Sequence, residues 1–340
     1  MSSGQAMTRP LELADFGSFF AGGRPVRITG EPVRDVAFTR TASLQYDPNG
    51  HYHFEQAYVQ YFVPARRRQP LPLVLLHGGG MTGAMWETTP DGRPGWLQHL
   101  LGLGNAVYVV DNVERGRAGW APFGSVWPDA PIIRNAEESW SLFRFGAPAG
   151  YAQRRGFDGL RFPLAAFDTF IQHAVPRWLG NNDAALRTLC AVIDRVGPCV
   201  VVAHSHGGEV AFRALHERPA QVRGVVAIEP SGFAEPVRAP AVAGKPFLFV
   251  YGDYLDATPL WQRLAAAGRQ YADALAAQGG HVEMWRLADM GIRGNSHMLM
   301  MDDNSDEIAR RVSGWVREAA ARGGFNPAPP GTSGPAPGDG

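Results

Sequence analysis

Short, nearly uninterrupted apolar runs recur along the chain at Pro72–Leu76, Ala106–Val110, Cys199–Ala203, Val222–Ile228, Pro246–Tyr251 and His281–Leu287. Between them lie longer stretches with apolar residues at helical spacing, clearest at Asp183–Arg195, Gly208–Glu217, Leu260–Gln278 and Ser305–Ala321. Strands that are apolar on both faces need cover on both faces. The alternation therefore predicts an α/β fold with a mostly parallel central sheet and helices on either side. Three earlier β-rich runs, Pro25–Thr29, Asp35–Thr39 and Ala57–Val63, follow one another without intervening helices and predict an antiparallel edge. Asn304 or Ser305 is expected to cap the last helix, ahead of acidic residues in its first turn.

One segment breaks the alternation. From about residue 119 to 179 the chain is rich in Trp, Phe, Pro and Gly, including Trp120, Trp127, Trp140, Phe143 and Phe145. A structureless loop of this length is uncommon, and the aromatic content opposes disorder. The segment is expected to form an inserted cap, helical near Ala136–Phe143 and Leu164–Ala174, with Trp120 and Trp127 lining a pocket beneath it. The expected organisation is an N-terminal extension over 1–23, a catalytic domain over 24–325 carrying the cap at 119–179, and a disordered tail over 326–340. That tail reads NPAPPGTSGPAPGDG and has almost no apolar content.

Composition narrows the function classes. Lysine plus arginine and aspartate plus glutamate number 32 each, so no net field recruits nucleic acid or an anionic membrane. No apolar run approaches the ~18 residues of a membrane span. The first residues lack a basic stretch followed by an apolar one, so no secretory signal is read. The cytoplasm is the default compartment, with export the alternative if a signal was removed. Cys190 and Cys199 are expected to be two buried thiols rather than a disulfide framework.

The chemistry concentrates in VVVAHSHGGEVAF, residues 200–212. A β-rich run stops at His204-Ser205-His206 and a helical pattern begins at Gly207, placing Ser205 at the apex of a sharp strand-to-helix turn. Such a turn strains the backbone to lift the hydroxyl above the sheet. The residues two before and two after the serine, Ala203 and Gly207, are expected to crowd each other and so to be small. The usual pattern has glycine where Ala203 stands. The bland reading is that Ser205 is a helix cap; a metal site at His204, His206 and Glu209 is a further alternative, but nothing nearby completes the ligand set. Upstream, LVLLHGGGMTG runs a buried strand into a glycine turn, where bare N–H groups could hold an oxyanion. The expected donors are Gly79 and His206, with Gly80 a substitute for Gly79. A late histidine must serve as base. His297, on a loop between the last strand and last helix, fits better than His281, which starts a strand. For the acid, Glu229 ends the run after the nucleophile helix and Asp256 follows the next strand. Sequence order leaves these two open.

AHSHGG, VVAIEPSG, HGGGMTGAMWETTPDGRPGW and GNSHMLMMDDNSDEIA together resemble a bacterial α/β-hydrolase esterase group, that of esterase 713, over most of the chain from about Arg24 to Ala321. The resemblance implies an α/β-hydrolase fold and a triad of Ser205, His297 and Glu229, favouring Glu229 over Asp256. Two features depart from the group. It carries a cysteine pair where this chain has Gly79 and Gly80, and its member is exported. The resulting expectation is a serine esterase acting through an acyl-enzyme, with no cofactor and no metal, on a small apolar ester. A homodimer is compatible with the sequence. The alternatives are a lactone, thioester, amide or acyl-transfer reaction on the same machinery, or a binding module that kept the fold.

Overall fold

The structure, a computed structural model, describes residues 10–325; the tail expected at 326–340 lies outside the described residues, as do residues 1–9. The described chain holds ten strands and eight α-helices, which alternate from the seventh strand onward. The strands are β1 (Leu13–Ile28), β2 (Arg34–Thr39), β3 (Ala42–Tyr46), β4 (Gly50–Pro64), β5 (Leu73–Leu76), β6 (Val107–Asp111), β7 (Cys199–His204), β8 (Val222–Ile228), β9 (Pro246–Tyr251) and β10 (His281–Arg286). The helices are α1 (Trp96–Gly102), α2 (Ala136–Leu142), α3 (Phe167–Ile171), α4 (Asn182–Val196), α5 (Gly207–Glu217), α6 (Ala239–Val242), α7 (Pro259–Ala277) and α8 (Ser305–Ala321).

Eight strands form one sheet in the order β1-β4-β6-β5-β7-β8-β9-β10. From β6 to β10 every neighbouring pair is parallel, while β4 runs antiparallel to both β6 and β1. Strands β5, β7 and β9 are buried at every residue. This is why they read as continuous apolar runs: one core packs Leu75, Val200 and Val250 beneath α1 and α8, and a second packs Val74, Val201 and Phe249 against α4, α5 and α7. The antiparallel edge departs from expectation in two ways. β1 begins at Leu13, so the sheet crosses the boundary drawn at residue 24. Its long exposed face hides it from an apolar count, and pairing with β4 alone defines it. The run at Asp35–Thr39 leaves the sheet and pairs with β3 as a separate two-stranded ribbon.

The inserted cap is present and helical in part. It contains α2, capped by Asn135 accepting from the Glu138 N–H at 2.7 Å, and α3. A backbone bridge between Ile132 and Arg177 draws its ends together. Its aromatics mostly pack on one another: Trp140, Phe145, Phe162, Phe167 and Phe170 are buried, with ring centroids 4.1 Å apart for Phe145 and Phe162. At the start of α8, Asn304 holds the capping position but makes no cap bond, because its amide is engaged with Asn295. Cys190 and Cys199 are free and buried. Among the described residues no helix is long and apolar enough to cross a membrane.

The cap core makes a measurable claim. Trp140 is fully buried and its Nε1–H donates to the Ala147 carbonyl at 3.0 Å. Trp140→Ala should cost about 3–5 kcal/mol in urea unfolding. A loss below 1 kcal/mol would mean the cap is not packed as a core.

Candidate active site

Ser205 sits between β7 and α5 with φ 53°, in the left-handed region that non-glycine residues rarely occupy. Its N–H donates to the Ile228 carbonyl at 2.9 Å, and its own carbonyl accepts from Gly208 and Ser231. The turn is held on both sides, which is what sustains a strained residue. Gly207 must be small for a reason different from the one expected: a Cβ there would lie 2.6 Å from the His77 carbonyl and 3.3 Å from Leu76, at the end of β5. The crowding comes from the neighbouring strand's exit rather than from Ala203. Gly78 is similarly confined, since a Cβ would meet His204 Nδ1 at 2.6 Å and the Ser205 side chain at 3.2 Å. The glycine loop and the serine turn are therefore pressed together.

His297 and Glu229 meet. The His297 Nδ1–H donates to Glu229 Oε2 at 3.0 Å, with both side chains buried. Glu229 directly follows β8, itself at φ 51°. Asp256 is exposed in a short turn after β9 and does not join the cluster. Asp253 accepts from the Gly294 N–H and ties down the histidine loop instead. That loop is further fixed by Asp302, which accepts from the Ser296 N–H and hydroxyl and from Asn295 Nδ2 at 2.7–2.9 Å. Burial pushes the Glu229 carboxyl up, but the Arg144 charge and the hydrogen bonds from His297 and Arg144 outweigh it and hold it at about 2. Burial lowers His297 below the ordinary histidine value, with the Glu229 contact opposing the shift.

Arg144 had no signal in the sequence beyond being a lone cation among aromatics. It is fully buried, and its two terminal nitrogens donate to the two Glu229 oxygens at 2.7 and 2.6 Å. Its Nε–H donates to the Asp253 carbonyl at 2.8 Å, and its guanidinium lies 4.6 Å from the Trp261 ring. Its neighbours also grip the site: the Leu142 carbonyl accepts from Trp261 Nε1, and the Phe143 carbonyl accepts from the His297 N–H. The Phe143 and Trp261 rings pack on the imidazole, with centroids 5.6 and 4.3 Å away.

The nucleophile side is looser. Ser205 Oγ meets Ser231 Oγ at 3.4 Å, and no hydrogen bond links it to His297 among the described residues. Serine–histidine contacts are often long without substrate and tighten when it binds. None of the Gly79, Gly80 and His206 N–H groups donates to a protein acceptor among the described residues, and the Gly80 carbonyl accepts from Val175. The flanking histidines diverge: His204 Nε2 donates to the His297 carbonyl, and His206 Nε2 meets Asn182 Oδ1, each at 3.0 Å. No group of three or more side chains able to hold a metal occurs among the described residues. The cleft beside the glycine loop is lined by Phe143 and Phe170 rather than by Trp120 or Trp127. Trp120 is exposed against Trp178, and Trp127 packs with Phe123 against the β1–β4 edge.

A serine at a strained strand-to-helix turn, a buried His–Glu pair and this sheet order define a serine hydrolase of the esterase type. The chain belongs to the α/β-hydrolase superfamily, among its esterase- and lipase-like members. It is similar to a solved structure described as a novel bacterial esterase, with 30% identity, 94% of this chain and 99% of that chain covered, and a TM-score of 0.79. It is also similar to a probable secreted lipase phiG of a fungal species (strain ATCC 74256), 28% identical over 79% of this chain and 88% of the relative. No family model matches the sequence.

The geometry separates the two acid candidates. Glu229→Gln should lower kcat by about 1,000-fold or more, as a lost orienting carboxylate does elsewhere, and should also cost about 3 kcal/mol of stability because Arg144 loses its counter-charge. Asp256→Asn should leave both within experimental error. The reverse pattern in a paired assay and melt would place the acid after β9. A base must be neutral to accept a proton, so activity falls as pH drops through its pKa. The acid limb of kcat/KM should therefore lie below 6.5, and it reports His297 because Glu229 stays ionised down to about 2. A limb centred above 7 would contradict the burial of His297.

Proposed function

We propose that the enzyme hydrolyses small carboxylic esters with Ser205 as nucleophile, His297 as general base and Glu229 as the orienting acid. The buried Glu229–His297 contact carries this reading, because it fixes the tautomer that leaves Nε2 free to take a proton. His297 takes the Ser205 proton as Oγ attacks the ester carbonyl. The N–H groups of Gly79 and His206 receive the oxyanion, which their lack of other acceptors supports. His297 then protonates the departing alcohol, and water repeats the sequence on the acyl-enzyme. The expected substrate is apolar in part, since Met81, Phe143, Phe170 and Val175 line the cleft beside Gly79. A catalytic domain over 24–325 with its cap at 119–179 belongs to the same proposal. So does membership of the esterase 713 group, on the strength of the W-E-T-T-P-D-G-R and N-S-H-M motifs.

Ser205→Ala should fold normally, lose at least ~1,000-fold in kcat toward p-nitrophenyl butyrate, and no longer be labelled by a fluorophosphonate. Retained hydrolysis by a folded variant would end the proposal. Labelling of the wild type without turnover of any ester would redirect it to acyl transfer or another acyl bond.

A further inference from the structure

Two guanidiniums flank the glycine loop with no carboxylate in salt-bridge contact among the described residues. Arg115 follows β6 and is 5% exposed. Its Nη1 donates only to the carbonyl of its neighbour Glu114, at 3.0 Å, and its Nε has no acceptor. Arg177, at the end of the cap, packs its guanidinium on Gly79, where a Cβ would lie 2.6 Å from Nη1; its Nε also lacks an acceptor. Between β6 and α4, Asn181 is 3% exposed and its Nδ2 is likewise unmet. Arg115 and Asn181 line one small cleft together with Gly78 of the glycine loop and His206 of the serine turn. Arg177 lines the adjoining apolar cleft with Gly79. The nearby charges have other contacts: Glu114, whose charge raises Arg115, accepts from the Ala121 N–H at 2.8 Å, Glu209, whose charge raises Arg177, lies 3.9 Å from both His206 and Arg213, and Arg134 pairs with Glu138.

The unmet groups of Arg115, Asn181 and Arg177 are all donors, and two of them are cations. Burying an unpaired cation is costly, so folding alone gives no return for placing Arg115 there. A ligand that satisfies the set must bring acceptors and negative charge. A carboxylate matches the planar fork of a guanidinium and can also accept from an amide. Arg115 and Arg177 also share an electrostatic field: burial and then the Arg177 charge lower Arg115 to about 10, and burial and then both arginines depress His206.

We propose that Arg115, Asn181 and Arg177 form an anion subsite beside the oxyanion loop, so that the preferred substrates are esters bearing a second, ionised carboxylate. This rests on the esterase reading above and names its substrate class. The apolar stem lies along Phe143 and Phe170, the ester carbonyl sits at Gly79 and His206, and the free carboxylate lies toward Arg115. The carboxylate can sit on the acyl or the alcohol side, and the assay separates the two.

The test compares kcat/KM, by pH-stat, for monomethyl glutarate (acyl-side carboxylate), butyrylglycolic acid (alcohol-side carboxylate) and the neutral methyl pentanoate. At least one anionic ester should be preferred by about tenfold or more, as charged hydrogen bonds allow, and Arg177→Gln or Arg115→Gln should abolish that preference. An anionic-to-neutral ratio near one in the wild type, or one unchanged in folded variants, overturns the subsite. Should the variants not fold, inhibition of the wild type decides: pentanoate should compete about tenfold better than the neutral pentanamide, and equal inhibition refutes the proposal. If no ester is turned over, the esterase reading fails separately. The subsite then stands or falls on whether pentanoate raises the melting temperature of the wild type more than the neutral pentanamide does.

Discussion

The site depends on one buried ion pair. Arg144 and Glu229 are both removed from solvent and joined through both oxygens and both terminal nitrogens. Neither charge is tolerable alone at that depth, and breaking such a pair by removing one partner typically costs about 3–5 kcal/mol. Glu229 belongs to the sheet and Arg144 to the cap. The pair therefore makes closure of the cap over the sheet a condition of a properly charged triad. The adjoining residues reinforce the clasp, since Leu142 and Phe143 bond Trp261 and His297 through their carbonyls.

This arrangement answers a chemical problem. A bare buried glutamate would be pushed toward its neutral form and would orient an imidazole poorly. The arginine keeps it ionised, yet the same cation works against the imidazolium that must form during acyl transfer. Having Arg144 occupy both oxygens while His297 shares only Oε2 divides the carboxylate between permanent and transient charge. Backbone strain accumulates in the same place. Ser205, Glu229 and Arg144 all have positive φ, at roughly 1–3 kcal/mol each, sustained by the packed loops around them.

Much of this was legible along the chain. The central strands announce themselves because burial on both faces leaves no polar positions, and the serine turn does so because strand, apex and helix are contiguous. His297 was found by its place before the last helix. Glu229 was favoured over Asp256 only through the resemblance, because the choice turns on which loop bends toward the imidazole. The edge strand β1, with its exposed face, and the departure of β2 from the sheet leave no mark in an apolar pattern. The cap is legible as a unit, but the cleft beside the glycine loop is lined by Phe143 and Phe170 rather than by Trp120 or Trp127. All its rings look alike in sequence, and only packing separates those in the cap's own core from those facing the cleft.

Contiguous residues encode the alternation of elements, the serine turn, the glycine loop and the presence of a late histidine. The folded structure settles whatever depends on groups far apart in the chain meeting in space. It selected the acid, since Glu229 and His297 are 68 positions apart. It revealed Arg144, 85 positions from the carboxylate it neutralises. It also left Arg115 and Arg177 without a salt bridge among the described residues. Periodicity reports the environment of a segment, whereas a charge's worth depends on which partner reaches it through a low-dielectric interior, and that is a property of the folded chain.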